Sequence, residues 1–209
     1  MNMKNVTITK HPLIDHSLTI IRDKSTGTEE FRKHAAIVSK ILLIEATKEL
    51  RLKPHTITTP LAKFSGKKLT DDIVVVPVLR AGLAMLFALQ DFLPAASVGF
   101  IGLERDEKTA IAREYYEKIP HLLKNSKIII IDPMLATGGS FCDTIEAIKL
   151  KKGKDIILVS IVSAPEGIHR VQTQHPDVKI FTGAIDGSLN AKKYIVPGLG
   201  DFGDRYFGT

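Results

Sequence analysis

The most informative pattern in the chain is Ile128-Ile129-Ile130-Ile131, four β-branched residues with no polar face, followed at once by Asp132. A run that is apolar on both faces predicts a central strand of a parallel sheet with helices above and below. Further β-branched runs at 73–78, 97–103, 155–162 and 178–184 bring the predicted strands to five. Between them the apolar spacing becomes helical. Phe31, Ala35, Val38, Leu42 and Ala46 share one face over 28–50, and Phe141, Ile145 and Ile148 share one face over 140–149. Helices are also predicted over 81–92 and over 165–174, the latter with Pro165 in its first turn. An N-terminal arm with His11-Pro12-Leu13 and the apolar stretch 18–21 shows no defining pattern. Strands alternating with helices predict an α/β fold: a doubly wound, parallel five-stranded sheet flanked by helices, within one domain spanning 1–209. Such sheets bind ligands beyond the carboxyl ends of their strands.

Composition narrows the class. Over 209 residues, 44% are hydrophobic and 25% charged, ordinary for a soluble globular protein. The apolar runs fall far short of the roughly 20 residues that span a bilayer. Residues 1–10 are polar and mixed, without a charged-then-apolar signal, so a cytoplasmic location is expected. A single cysteine, Cys142, excludes an intrachain disulfide and a cysteine-based zinc cluster; a packed residue rather than a reactive thiol is expected there. The net charge of +6 is spread over dispersed Lys and Arg with no Trp and no aromatic-interleaved basic tract. That distribution suits small anionic substrates better than nucleic acid.

Candidate chemistry lies at the predicted strand ends. Ala136-Thr137-Gly138-Gly139-Ser140 lacks bulk where the isoleucine strand gives way to a helix. Such a bend is either a plain connector or a cradle of N–H groups around a phosphate at a helix N-terminus. Asp132 at the strand tip favours the cradle, since an acid beside a phosphate suits a sugar phosphate and its metal. Arg80 stands at the tip of the 73–78 strand before Ala81-Gly82, and its planar charged fork suits phosphate oxygens. Residues 103–121 are polar, mixed in charge and too long for an ordinary connector. They predict a flexible lid in which Arg105 reaches a phosphate, or else a solvated excursion with a short hairpin. Near the C-terminus, Gly198, Gly200 and Gly203 surround Asp201. That density predicts a tightly folded backbone presenting its own N–H and C=O groups to a planar base, with Tyr194 and Ile195 as a flat wall. No Ser/His/Asp or Cys/His set has diagnostic spacing.

These strings resemble the type I phosphoribosyltransferases over nearly the whole chain. The nine residues 132–140 resemble that family's signature for phosphoribosyl diphosphate (PRPP). Pro133 stands where most of the family has a second acid, a variant similar to the uracil phosphoribosyltransferase branch. Residues 75–83 resemble the family's pyrophosphate loop, where a cis peptide can occur. Arg105-Asp106-Glu107 and Glu114-Tyr115-Tyr116 resemble the hood of the uracil branch, and 194–209 resembles its uracil-binding segment. His11-Pro12-Leu13, Arg22-Asp23-Lys24, Thr59-Pro60 and Ala164-Pro165-Glu166-Gly167 are similar to further family strings. Two departures stand out: Ala110-Ile111-Ala112-Arg113 differs from the usual hood, and Phe202 replaces a small residue, usually Ala.

The resemblance implies that uracil and PRPP are converted to uridine monophosphate (UMP) and pyrophosphate, a pyrimidine salvage reaction. It implies PRPP binding by Arg80, Arg105, Asp132, Pro133, Met134, Leu135, Ala136, Thr137, Gly138, Gly139, Ser140 and Asp201. Within that set Arg80, Arg105, Asp132 and Asp201 are implied to be catalytic. Tyr194, Ile195, Gly200, Asp201 and Phe202 are implied to bind uracil. Magnesium is the implied cofactor, carried on PRPP, with Asp201 its candidate protein contact. A homodimer or larger homo-oligomer is implied, with GTP a candidate effector and with neither nucleic acid nor membrane as partner. The alternatives are a phosphoribosyltransferase for another base, or a nucleotide-sensing regulator of the same fold that binds nucleic acid.

Overall fold

A computed structural model describes residues 4–105 and 112–209, and the side chains of all of these except 103–105 and 112–115. In chain order, β1 (Val6–Ile8), α1 (Pro12–Arg22), α2 (Thr28–Ala46), β2 (Leu52–Thr58), β3 (Lys63–Leu69), β4 (Asp72–Pro77) and α3 (Gly82–Gln90) come first. Next are β5 (Ser97–Val98), β6 (Phe100–Arg105), β7 (Ala112–Lys118), β8 (Ser126–Ile131), β9 (Met134–Leu135) and α4 (Gly139–Leu150). The chain ends with β10 (Asp155–Ser163), α5 (Pro165–Gln174), β11 (Lys179–Ile185), β12 (Ser188–Leu189), β13 (Ile195–Val196) and α6 (Phe202–Phe207).

The isoleucine strand β8 lies inside a parallel sheet ordered β1-β11-β10-β8-β4-β5, with β9 added beside β10. Ile128 is aligned with Ile156 and Val74 on its two neighbours, and Ile130 with Leu158 and Val76. Alternation along the strand then divides the core in two. Ile129 and Ile131, with Val75 and Val159, pack under α1, α2 and α3. Ile128 and Ile130, with Val76 and Leu158, pack under α4 and α5 on the other face. All four isoleucines are fully buried, which is why the strand carries no polar face. The fold is therefore α/β, a parallel sheet with helices on both sides.

The sheet has seven strands rather than five, because β1 joins one edge and β9 inserts after Asp132. The N-terminal arm resolves into β1 and α1, whose apolar Ile14, Leu18 and Ile21 are buried. His11 caps that helix by accepting the Leu13 N–H, and Pro12 sits in its first turn. The run 97–103 is not one strand. Ser97–Val98 pairs with β4, but at Gly99 the chain departs and Phe100–Arg105 forms an antiparallel hairpin with β7. A side chain at Gly99 would meet Pro120 at 3.0 Å, so a glycine lets the two feet of that hairpin close together. The segment read as a lid or as an excursion with a short hairpin thus has a β-hairpin stem, and its tip at 106–111 lies outside the described residues.

A second hairpin, β2–β3, carried no strand pattern in the sequence. Its two strands pair along their whole length and are exposed at nearly every position. Leu61 at the tip is 96% exposed and Phe64 57%, an apolar surface on an arm standing off the body. Among the described residues, no helix is long and apolar enough to cross a membrane.

Candidate active site

Parallel strands place their carboxyl ends on one edge, so Pro77, Ile131, Ser163 and Ile185 all open toward the same end of the sheet. Just beyond β8, the Asp132 N–H donates to Val159 O at 3.2 Å, and its Oδ1 accepts the Met134 N–H at 3.1 Å. Pro133 O accepts N–H bonds from both Ile161 and Val162. The chain therefore stays tied to β10 for one more step before it turns.

The turn itself rests backbone on backbone. Gly138 has φ +76, a left-handed conformation that favours glycine, and a Cβ there would lie 2.8 Å from Gly167 O. Reciprocally, a Cβ on Gly167 would lie 2.4 Å from Ala136 O. The bend at 136–140 is thus seated on the first turn of α5 with no side chain between. It opens α4, a helix with no acid in its first turn, so the positive end of the helix dipole is unopposed there. Thr137 Oγ1 accepts the Gly139 N–H at 3.4 Å.

Opposite this bend stands the glycine-rich tail. Asp201 caps α6, its Oδ1 accepting the Asp204 N–H at 3.0 Å. The bend and the tail line one cavity of about 320 Å³. From the bend it takes Asp132, Met134, Ala136, Thr137, Gly138, Gly139 and Ser140, and from the tail Tyr194, Ile195, Gly200, Asp201 and Phe202. Residues read as a PRPP site and residues read as a uracil site are thereby brought to a single space.

Leu135, Pro133 and Arg80, also expected at the site, do not line this cavity. Leu135 is fully buried in the core beneath α4, because as part of β9 it alternates inward. Pro133 does not line the cavity, since its carbonyl serves the sheet. Arg80 follows a cis Leu79–Arg80 peptide, is 64% exposed and faces Asp204 at 3.8 Å, while its neighbour Ala81 lines the cavity. The side chain of Arg105 lies outside the described residues. The Phe202 ring belongs to the core, edge-on to Phe31 at 5.1 Å and stacked on Tyr206 at 5.8 Å. It is 2% exposed, so the bulk that replaces the usual small residue is absorbed below the cavity. Cys142 is buried and its thiol is pushed up to about 11 by that burial, which keeps it protonated and unreactive.

The sequence reading missed Lys192 and Lys193, the cations that line the cavity among the described residues. They sit on a turn organised by Asn190, whose Oδ1 accepts the Lys192 N–H at 2.9 Å and the Tyr194 N–H at 3.0 Å. Lys193 holds φ +66, unusual for a side-chain-bearing residue. The Asn190 turn was a readable signal; the direction in which it aims two lysines was not.

The carboxylates set the opposite polarity. Asp132 is pushed from its ordinary 3.8 up to about 7, chiefly by burial and further by the Asp201 carboxylate, with the Met134 N–H opposing. Because the folded protein holds this proton more tightly than the unfolded chain, stability falls as pH rises from about 4 to about 7. Asp132→Asn keeps the acceptor for Met134 and removes the titration. The variant is expected to melt a few degrees above the unsubstituted protein at pH 8 and to converge with it near pH 4. Ligand-free thermal scans across that range check this; an unchanged melting difference at the two ends would contradict it.

Comparison with known proteins agrees with this geometry. The family model described as uracil phosphoribosyltransferase matches residues 8–209. A uracil phosphoribosyltransferase of Campylobacter curvus is 46% identical over 207 residues, covering 99% of this chain and 100% of the relative. One from Dictyoglomus thermophilum is 49% identical over 205 residues, covering 98% and 99%. A solved structure of an Aquifex aeolicus protein superposes with a TM-score of 0.92 at 36% identity, covering 98% of both chains. With the phosphate-type bend and the glycine-rich tail facing one cavity, and with likeness running from end to end, the chain belongs to the uracil phosphoribosyltransferase family.

Proposed function

We propose that this chain transfers the 5-phosphoribosyl group of PRPP to uracil, giving UMP and pyrophosphate, in pyrimidine salvage in the cytoplasm. The observation that carries the reading is the shared cavity, lined by the glycine bend at 136–140 and by the glycine-rich tail. A ring nitrogen of uracil gives up its proton to the departing pyrophosphate or to water and bonds to the anomeric carbon as the bond from that carbon to pyrophosphate oxygen breaks. The transition state is oxocarbenium-like, as in glycoside cleavage, and needs no nucleophilic side chain. Positioning and charge stabilisation supply the catalysis.

The residues divide this work by chemistry. N–H groups of 136–140 and the Thr137 and Ser140 hydroxyls hold the 5-phosphate, and Lys192 and Lys193 face it with positive charge. Asp132 accepts hydrogen bonds from the ribose hydroxyls, a role for its ionised form. Arg80, exposed and only loosely engaged by Asp204, turns to the departing pyrophosphate, and Arg105 reaches it from the lid stem. Main-chain groups of Ile195, Gly200 and Phe202 read the uracil edge, with Tyr194 beside them. A site that hydrogen-bonds a carbonyl rejects an amino group in its place.

Magnesium fits the donor set. Asp132 and Asp201 face the cavity as a mutually repelling pair, and no group of three or more His, Cys, Asp or Glu suited to a metal occurs among the described residues. Two carboxylates suit an ion held largely by substrate oxygens and water. When bound it supplies positive charge at the pyrophosphate, with Asp201 as the candidate protein contact.

The reading is tested by assaying UMP formation with uracil, PRPP and magnesium, omitting each in turn and substituting orotate, adenine and hypoxanthine for uracil. Formation of UMP only with all three, and little product from the other bases, is expected; the same assay with GTP added tests it as effector. No UMP from the complete mixture, or preference for another base, contradicts the reading.

Assembly is proposed through the β2–β3 hairpin, whose exposed Leu52, Ile57, Leu61, Phe64 and Leu69 suit burial against a second copy. Light scattering is expected to report a homodimer or larger assembly that Leu61→Glu with Phe64→Glu reduces to the protomer. An unchanged mass in that variant rules out the hairpin as the interface.

A further inference from the structure

Behind the base-side wall of the cavity lies a pair of charges that the mechanism above does not use. Arg22 is the last residue of α1, and Asp186 follows directly on β11. Their side chains meet as a fork, Arg22 Nη1 to Asp186 Oδ2 at 2.7 Å and Nη2 to Oδ1 at 2.8 Å. The pair is largely removed from water, with side chains 23% and 7% exposed. Both members also bind the backbone of one residue, Gly198. Arg22 Nη1 donates to Gly198 O at 2.8 Å, and Gly198 N–H donates to Asp186 Oδ2 at 2.8 Å.

We propose that Arg22 and Asp186 are positioning residues for base recognition, gripping Gly198 so that the flanking main chain meets the nucleobase at a fixed angle. The inference rests on the functional reading above. Gly198 lies between Ile195 and Gly200, both of which line the cavity. It has φ +57 and sits so close above the Ile195 carbonyl that a Cβ would lie 2.1 Å from that oxygen. A glycine turn has no side chain with which to set its own orientation. Here its N–H and C=O are both held by one rigid ion pair, itself anchored at the end of a helix and the end of a core strand.

The carbonyl of the next residue is also held. Leu199 O accepts from Arg205 Nη1 at 2.8 Å, and Arg205 also donates to Ile21 O and Asp23 O while lying 4.5 Å over the Phe31 ring. The end of α1 is thus the reference against which successive peptides of the tail are placed. Recognition by main-chain groups depends on where those groups point, so a small rotation costs base affinity without touching the phosphate bend.

The test compares wild type with Arg22→Lys and with the exchanged pair Arg22→Asp/Asp186→Arg. Lysine keeps the charge but lacks the planar fork that serves Asp186 and Gly198 O together. The exchange keeps the ion pair but sets a guanidinium against the Gly198 N–H and a carboxylate against the Gly198 carbonyl. Each is expected to raise the KM for uracil by about tenfold or more, with the KM for PRPP within about twofold of wild type. Calorimetric PRPP binding and thermal scans report whether the fold and the phosphate bend are intact. A folded variant with wild-type KM for uracil, or an equal rise for both substrates as general loosening gives, overturns the inference. If the exchanged pair does not fold, Arg22→Lys decides alone. Failure of wild type itself to use uracil overturns the functional reading, and this inference with it.

Discussion

The seating of the 136–140 bend on the first turn of α5 is the contact on which the rest of the site depends. Gly138 and Gly167 approach so closely that a methyl group on either collides with the other segment's backbone. Closeness of that kind leaves the bend little freedom to sag. It also fixes where α4 begins, and so where the positive end of that helix lies. The sheet supplies the other boundary: Asp132, Pro133 and β9 stay hydrogen-bonded to β10 until the chain turns.

On that scaffold, charges of both signs line one cavity. Asp132 and Asp201 repel one another across the cavity, and burial already disfavours the ionised form of the first. Lys192 and Lys193 line the same cavity, on a turn with a left-handed lysine. In the reaction proposed above, a polyanionic sugar phosphate accompanied by a divalent cation would satisfy both signs at once. Sites that gain stability only when occupied commonly carry such local disadvantages.

Much of this was legible in the chain because local chemistry decides it. The four isoleucines need burial on both faces, and Pro165 is well suited to a helix's first turn, so strand and helix appear where the pattern puts them. The bend, Asp132 and the tail were likewise visible as dense local patterns, and the structure brings them to one cavity. The β2–β3 hairpin was not, since its strands are exposed on both faces and carry mixed lysines and Pro54 in place of alternation. Nor was the split at Gly99, which depends on Pro120 packing against it. The Arg22–Asp186 contact joins residues 164 positions apart, and no periodicity reports a partner at that distance. Leu135 looked like part of the phosphate string, yet strand alternation turns it into the core.

A crystal structure with UMP and pyrophosphate bound tests the central claim most directly. The account expects the nucleotide phosphate on the N–H groups of 136–140 and the uracil edge within hydrogen-bond distance of main-chain atoms between Ile195 and Phe202. A phosphate seated elsewhere, or a base recognised by side chains away from the tail, contradicts it.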